Sequence, residues 1–83
     1  MPKTRFNART GDRVTIDGAR LRGLRESQGL TLADVARAAD VSIAVVSQWE
    51  HEVSVPGPLG LGGLKRAFGQ SLTDSGAVVV VLA

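Results

Sequence analysis

The residues that could carry out catalytic or metal chemistry in this sequence are few. His51 is the single histidine and lies between Glu50 and Glu52, but no second ligand set of metal-binding spacing and no nucleophile beside a base accompanies it. Cysteine is absent, which excludes disulfides, thiolate metal sites and cysteine nucleophiles and fits a reducing compartment. We therefore expect a solvated surface histidine, no metal, no cofactor and no enzymatic activity.

A run of glycines offers a second kind of chemistry, phosphate binding. The stretch PGPLGLGGLK, residues 56–65, lacks both the G-x-x-x-x-G-K-[ST] spacing and the preceding strand of a phosphate-binding loop. We expect these glycines instead to let a helix pack closely against its neighbours.

Positive charge is concentrated in the front half of the chain. The net charge is only +2, yet seven of the ten Lys and Arg residues fall within the first 25 positions. They are Lys3, Arg5, Arg9, Arg13, Arg20, Arg22 and Arg25. Clustered cations attract nucleic acid because each neutralised phosphate releases counterions, although a solvated charged face is the ordinary alternative. Residues 1–13 show neither helical nor strand periodicity, which predicts a basic flexible arm.

The length of 83 residues leaves room for one domain with a small core. The polar N-terminal stretch has no apolar segment of the kind that directs secretion. The longest apolar run, residues 77–83, is far shorter than the about 20 residues that span a bilayer. We expect a soluble cytoplasmic protein with no membrane partner.

Three short helices follow the basic segment. Asp17 is an N-cap for a helix over about 18–28, and Gly29 can adopt the left-handed conformation that ends it. Thr31 begins a second helix that runs to about residue 39, and Ser42 caps a third helix that ends at Glu50. The second and third helices are separated by about three residues, a geometry that lets one helix lie in a groove while the other braces it.

The remaining chain predicts a fourth helix and two strands. Pro56 and Pro58 exclude a helix over 51–58, whereas the apolar residues of 59–68 have helical spacing. Residues 71–76 are a turn-rich connector, 77–82 a β-branched strand, and 13–16 a first short strand. The fold class is therefore mostly α, with four to five helices, a short N-terminal strand and a C-terminal strand. We divide the chain into an arm (1–13), a helical domain (14–72) and a connector with a C-terminal strand (73–83).

Residues 30–50, LTLADVARAADVSIAVVSQWE, carry a pattern that resembles the Cro/repressor-type, xenobiotic-response-like helix-turn-helix family of small DNA-binding transcription regulators. The likeness extends from Leu21 to about Leu72. The matching positions are Arg25, Gly29, Thr31, Val35, Ala36, Val41, Ser42, Trp49, Glu50, Pro56, Phe68 and Gly69. The resemblance implies a repressor-like bundle and a dimeric regulator that binds a palindromic operator in double-stranded DNA.

The same resemblance implies roles for individual residues. Arg25 and Glu50 would form a structural salt bridge between the first and third helices. The residues that would meet DNA are Leu32, Ser42, Ile43, Ala44, Val45, Ser47 and Gln48. The Gln48 amide can form two hydrogen bonds with adenine. The hydroxyl groups of Ser42 and Ser47 can donate hydrogen bonds to phosphate oxygens. Apart from the resemblance, we expect cations of the predicted arm to enter the minor groove as other flexible basic arms do. They are Lys3, Arg5, Arg9 and Arg13.

Several positions depart from the family pattern and keep a second function open. Leu32 stands where Gln is usual, and apolar Ile43, Ala44 and Val45 stand where polar readers are common. Glu52 stands where Gly is usual and would bring negative charge near DNA. An antirepressor, or another protein-interaction module on the same scaffold, would use this apolar patch to dock on a repressor or toxin protein.

The C-terminal run leaves two pairings open. It can fold back on residues 14–16 within one chain, or exchange between two chains in the way that some Cro proteins dimerise. We favour dimerisation because an unpaired apolar edge would aggregate. The predicted dimerisation residues are Val78, Val79, Val80, Val81 and Leu82.

Overall fold

A short antiparallel sheet and five helices make up residues 2–83, the part of the chain that the computed structural model describes. The elements are β1 (Lys3–Phe6), β2 (Arg13–Ile16), α1 (Gly18–Ser27), α2 (Leu32–Ala39), α3 (Ile43–Glu50), α4 (Pro58–Phe68), α5 (Ser71–Asp74) and β3 (Val78–Val81). This order confirms the predicted class, a mostly helical fold with short strands at both ends.

The helices α1 to α3 begin where local capping predicts. Asp17 Oδ1 accepts a hydrogen bond from the backbone N–H of Arg20, at 3.1 Å, and so caps α1. Gly29 follows α1 with a φ of +69°, the left-handed conformation expected of it. Thr31 and Ser42 cap α2 and α3 in the same way, so the predicted boundaries of these three helices hold to within a residue or two.

β2 is the central strand, and each face of the sheet has its own character. Lys3 lies opposite Ile16 in the β1–β2 pair, and Ile16 lies opposite Val78 in the β2–β3 pair. Side chains directly opposite one another in an antiparallel sheet share a face, so one face carries Ile16, Val78 and their alternate neighbours toward the helices. The other face carries Phe6 and Arg13.

The predicted flexible arm over residues 1–13 is wrong for residues 3–6, which form β1. Every residue of β1 is exposed, so no alternation of buried and exposed side chains marks it in the sequence. The strand is held by backbone pairing with β2, and its turn is closed by the Asn7 N–H donating to the Asp12 carbonyl at 2.8 Å. Met1, the first residue of the predicted arm, lies outside the described residues.

The core lies between the inner face of the sheet and the helices. Its largest fully buried side chains include Ile16, Leu21, Val35, Val46, Leu64, Leu72 and Val78. Helix α4 packs directly on α2, where a Cβ atom at Gly63 would lie 2.9 Å from the Ala39 Cα atom and overlap the Ala39 carbonyl oxygen. The absent side chain therefore permits the close approach of α2 and α4 that the glycine run predicts.

Two predicted connections are more ordered than expected. Pro58, which we assigned to the loop before α4, is the first residue of that helix, a position where proline's missing N–H is not needed. Residues 71–74 form α5 where we predicted a connector, because Leu72 is completely buried and holds this turn on the core. The predicted boundary between residues 72 and 73 falls inside α5.

β3 pairs with β2 of the same chain, which is the first of the two pairings that the sequence left open. Val78 is completely buried in the core, whereas Val79 and Val81 are about half exposed on the outer face. Strands β3 and β1 are thus the two edge strands of the sheet.

Candidate functional site

The candidate site is built on α2, α3 and the turn between them. Thr31 Oγ1 accepts a hydrogen bond from the Asp34 N–H at 3.0 Å, and Asp34 Oδ2 accepts one from the Thr31 N–H at 2.8 Å. The hydrogen bond from the Thr31 backbone is the main reason that the pKa of Asp34 lies below its ordinary value, and the Thr31 side chain adds to it. Aspartate therefore completes a capping box that usually contains Glu or Gln.

The turn between the two helices sets their relative direction. Asp40 ends α2 in the left-handed conformation, with a φ of 57°, and the Val41 N–H donates to the Ala36 carbonyl at 3.0 Å. Ser42 Oγ then accepts the Val45 N–H at 3.2 Å and starts α3. Only residues 40–42 lie between the helices, so α3 is presented at a defined angle to α2.

One face of α3 is locked into the core, and the opposite face is open to solvent. Val46 and Trp49 are buried, while Ser42, Ile43, Ala44 and Gln48 are exposed. The structure therefore brings together most of the residues for which we predicted contact with DNA. Leu32, Val45 and Ser47 are only partly exposed, and both Leu32 and Val45 pack against the core.

The predicted pairing of Arg25 with Glu50 is present in the structure. Arg25 Nε donates to Glu50 Oε2 at 2.7 Å, Nη2 donates to Oε1 at 3.2 Å, and Nη1 donates to the Leu30 carbonyl at 2.9 Å. The hydrogen bond to Glu50 is the main cause that raises the pKa of Arg25 above its ordinary value. The pair ties α1 to the C-terminal end of α3, so it controls how firmly the exposed face of α3 is held.

Glu52 has a role that sequence reasoning missed. Its Oε2 atom accepts a hydrogen bond from the Gly18 N–H at 2.8 Å, so its carboxylate stabilises the N-terminus of α1. Its φ of 59° is left-handed, which accounts for the glycine that is usual at this position. The expected negative charge is therefore directed at α1.

Close packing accompanies this contact. A Cβ atom at Gly18 would overlap the Glu50 carbonyl oxygen, so only glycine lets α1 begin directly against the end of α3. Glycine is unfavourable in helices, so its presence at the first position of predicted α1 is the one local signal in the sequence that α1 and α3 pack closely there.

The basic residues of the N-terminal segment do not form one cluster. Lys3 Nζ donates to the Val53 carbonyl at 2.8 Å, in the loop that follows α3, and an Arg5 guanidinium nitrogen lies beside Gly57 in the same loop. Arg13 lies on the outer face of the sheet, with its guanidinium carbon 5.9 Å from the centre of the Phe6 ring. Arg9 lies in the β1–β2 turn. The sheet thus brings Lys3 and Arg5 to the α3–α4 loop and directs Arg13 elsewhere.

His51 and the acidic side chains are the remaining groups with metal-binding potential. His51 is exposed, and its Nδ1 atom lies 2.8 Å from the Ser47 carbonyl oxygen. Within residues 2–83, no three His, Cys, Asp or Glu side chains gather as a metal site would require. None of the helices described has the length and apolar character needed to cross a bilayer.

Comparison with known proteins relates the central part of the chain to a family. Residues 18–54 match the model of a family described as a helix-turn-helix domain. No curated protein matches the chain. The matched residues run from the first residue of α1 to the loop after α3, so they contain the capped helices, the exposed face of α3 and both partners of the Arg25–Glu50 pair.

Proposed function

We propose that this protein is a sequence-specific transcriptional regulator of the phage-repressor type, because residues 18–54 match a helix-turn-helix domain. We further propose that it acts as a homodimer on a palindromic operator in the cytoplasm. The observation that carries the proposal is the exposed face of α3, held rigid by buried Val46 and Trp49 on its other side.

Side chains on that face suit the edges of A·T base pairs. Gln48 is exposed and can form the two hydrogen bonds that adenine offers in the major groove. Ile43 and Ala44 are exposed apolar groups that can contact thymine methyl groups. Ser42 and Ser47 flank this face and can donate to phosphate oxygens. We therefore expect half-sites that are rich in A·T pairs.

Lys3 and Arg5 supply positive charge that the α3–α4 loop itself lacks. Residues 51–57 contain no Lys or Arg, but strand β1 brings both cations to this loop. Since β1 is paired with β2 along its length, Lys3 and Arg5 are not free to follow a minor groove. We propose that they neutralise phosphates beside α3 instead.

The first experiment selects sites for the purified full chain from a random DNA duplex pool at two salt concentrations. Enrichment of a two-fold symmetric site, with half-sites about one helical turn or 34 Å apart, is the expected result for a dimer that reads DNA through α3. Enrichment of no sequence at either salt concentration would contradict the proposal.

Salt dependence tests the two cations separately. For the selected site, Lys3→Gln and Arg5→Gln should each reduce the slope of log K against log salt by about 0.9, the loss expected for one phosphate contact. Arg13→Gln is the matched control, because this residue belongs to the same sheet but lies on its other face. A slope that changes equally in all three variants would show that only net charge matters.

Dimerisation is proposed to use the outer edge of β3. Asp17 and Ala77 face each other just beyond the β2–β3 pair, and the Asp17 N–H donates to the Ala77 carbonyl at 2.9 Å. Facing pairs of an antiparallel sheet alternate between hydrogen-bonded and non-hydrogen-bonded pairs. The backbone N–H and C=O groups of Val79 and Val81 therefore point to β2, and those of Val80 point to the open edge of the sheet. A second β3 strand would pair there and join two sheets.

A protein-docking module is the second candidate, and Ile43 is the observation that favours it. Its side chain is 51% exposed on α3, next to exposed Ala44. The patch is smaller than the sequence predicts, since Leu32 and Val45 pack partly against the core. Under this alternative, Ile43→Ser would abolish binding to a repressor or toxin protein, whereas a DNA regulator would keep binding DNA with an altered base preference.

A further inference from the structure

A pocket of about 250 Å³ separates the inner face of the sheet from the start of α4. Its apolar wall combines Val14 and Val80 of the sheet with Leu61 of α4, each of them partly buried against the core. This volume is slightly below the roughly 300–1,000 Å³ of pockets that hold drug-sized ligands. The pocket is therefore suited to a short apolar chain.

Two cations without partners stand at this pocket. Neither the Arg5 guanidinium nor the Lys65 ammonium makes a hydrogen bond or ion pair with any residue from 2 to 83, and both line the pocket. The one carboxylate of the lining is Asp12, whose Oδ1 accepts the Ala83 N–H at 3.0 Å. The lining thus combines apolar walls with a net positive charge.

Gly57 leaves the space that the guanidinium occupies. With a φ of −76° and a ψ of −174°, its backbone conformation is one that any residue adopts. A Cβ atom at this position would lie only 2.9 Å from Arg5 Nη1. The missing side chain therefore matters for space, because it lets Arg5 lie over the start of α4 at the edge of the pocket.

We propose that this pocket binds a small amphipathic anion, such as a medium-chain carboxylate. The apolar chain would lie against Val14, Leu61 and Val80, and the carboxylate would lie between Arg5 and Lys65. The positive charge of Arg5 and Lys65 favours an anionic ligand, and the volume of the pocket limits the length of the ligand's hydrocarbon chain. The pocket lies apart from the exposed face of α3 and shares only Arg5 with the proposed DNA contacts. Binding of the anion is therefore measured without DNA, and Lys65, which has no part in the proposed DNA contacts, tests the pocket alone.

Titration of the ¹⁵N-labelled full chain in the absence of DNA tests the proposal. The probe is hexanoate, compared with hexylammonium and 1-hexanol, which carry the same chain with a positive or no charge. Hexanoate should shift the Val14, Leu61 and Val80 amide signals in a saturable way, with a Kd of about 1 mM for eight non-hydrogen atoms. Equal binding of hexylammonium, or hexanoate shifts that map elsewhere, would overturn the assignment.

Variants test the two cations. Arg5→Gln and Lys65→Gln should each weaken hexanoate binding about twofold to fivefold, the range for one exposed charge pair. Gly57→Ala should weaken it similarly by displacing the guanidinium, while the fold is kept because only a flexible side-chain end must move. Arg22→Gln on α1 removes the same charge away from the pocket and should leave the Kd unchanged. Equal Kd values in all four variants would overturn the proposal.

Discussion

The Arg25 guanidinium and the Glu50 carboxylate face each other through two hydrogen bonds, and both side chains are largely buried, with 12% and 4% of their surface exposed. One residue belongs to α1 and the other is the last residue of α3. Because a buried charge without its partner is far less favourable than the intact pair, this contact fixes the position of α3 more than it adds net stability.

Removal of either partner should therefore destabilise the fold strongly. We expect Arg25→Ala or Glu50→Ala to lower the free energy of unfolding by about 3 kcal/mol or more, and the double variant to lose less than the sum of the two. Urea unfolding measures this. Arg22→Ala is the control, since the Arg22–Glu26 pair is exposed and should contribute at most about 1 kcal/mol. A double variant whose loss of unfolding free energy equals the sum of the two single losses would contradict an interaction between Arg25 and Glu50.

Replacing two neighbouring glycines of α4 by alanine should change the stability of the fold in opposite directions. Gly63→Ala should lower the free energy of unfolding by about 1–3 kcal/mol, because the new methyl group meets the backbone of Ala39. Gly62→Ala should raise it by up to about 1 kcal/mol through helix propensity, since the nearest atom is the movable end of Arg66, at 3.8 Å. Thermal unfolding of both variants provides the comparison, and stabilisation by Gly63→Ala would show that α2 and α4 pack less closely.

Acid should weaken the α2 capping box. The pKa of Asp34 is below its ordinary value of 3.8, so its charge stabilises the folded chain above that pH. This contribution is lost as the pH falls through the lower folded-state pKa. The stability difference between the wild type and Asp34→Asn should therefore be largest at neutral pH and shrink below pH 3.8. Unfolding curves recorded over this pH range measure the stability difference. A difference that does not change with pH would contradict the stabilisation of α2 by the Asp34 carboxylate.

Base preference should depend on Gln48. On the selected operator, Gln48→Ala should reduce discrimination at a single A·T pair by about 1–3 kcal/mol and leave the other positions unchanged. Ser47→Ala, one residue away, should weaken all sequences alike, because a phosphate contact carries no base information. Binding measured on operators with single-base changes distinguishes the two outcomes. Equal effects of the two substitutions would argue against a base contact by Gln48.

Dimer formation should depend on the β3 edge. Val81→Lys places a charge on the exposed side chain of the edge strand and should shift the protein toward a monomer in sedimentation analysis. Thr4→Lys places the same charge on the same face of the sheet, but on the opposite edge strand, and should leave the assembly unchanged. A dimer that is lost only with Thr4→Lys would assign the interface to β1.

The sequence by itself determined the features that depend on near neighbours. Asp17, Thr31 and Ser42 each accept a backbone hydrogen bond from three residues further along the chain, so the starts of α1, α2 and α3 can be predicted from a few adjacent residues. The pairing of Arg25 with Glu50 followed from family resemblance, because both residue types stand at the expected positions.

Only the tertiary structure decided the contacts between distant segments. Strand β1 has no buried face to mark it in the sequence and exists through its pairing with β2. Glu52 finds the N-terminus of α1 34 residues away, and Lys3 reaches Val53 across 50 residues. Such contacts form because many elements pack together at once, so no short stretch of residues specifies them.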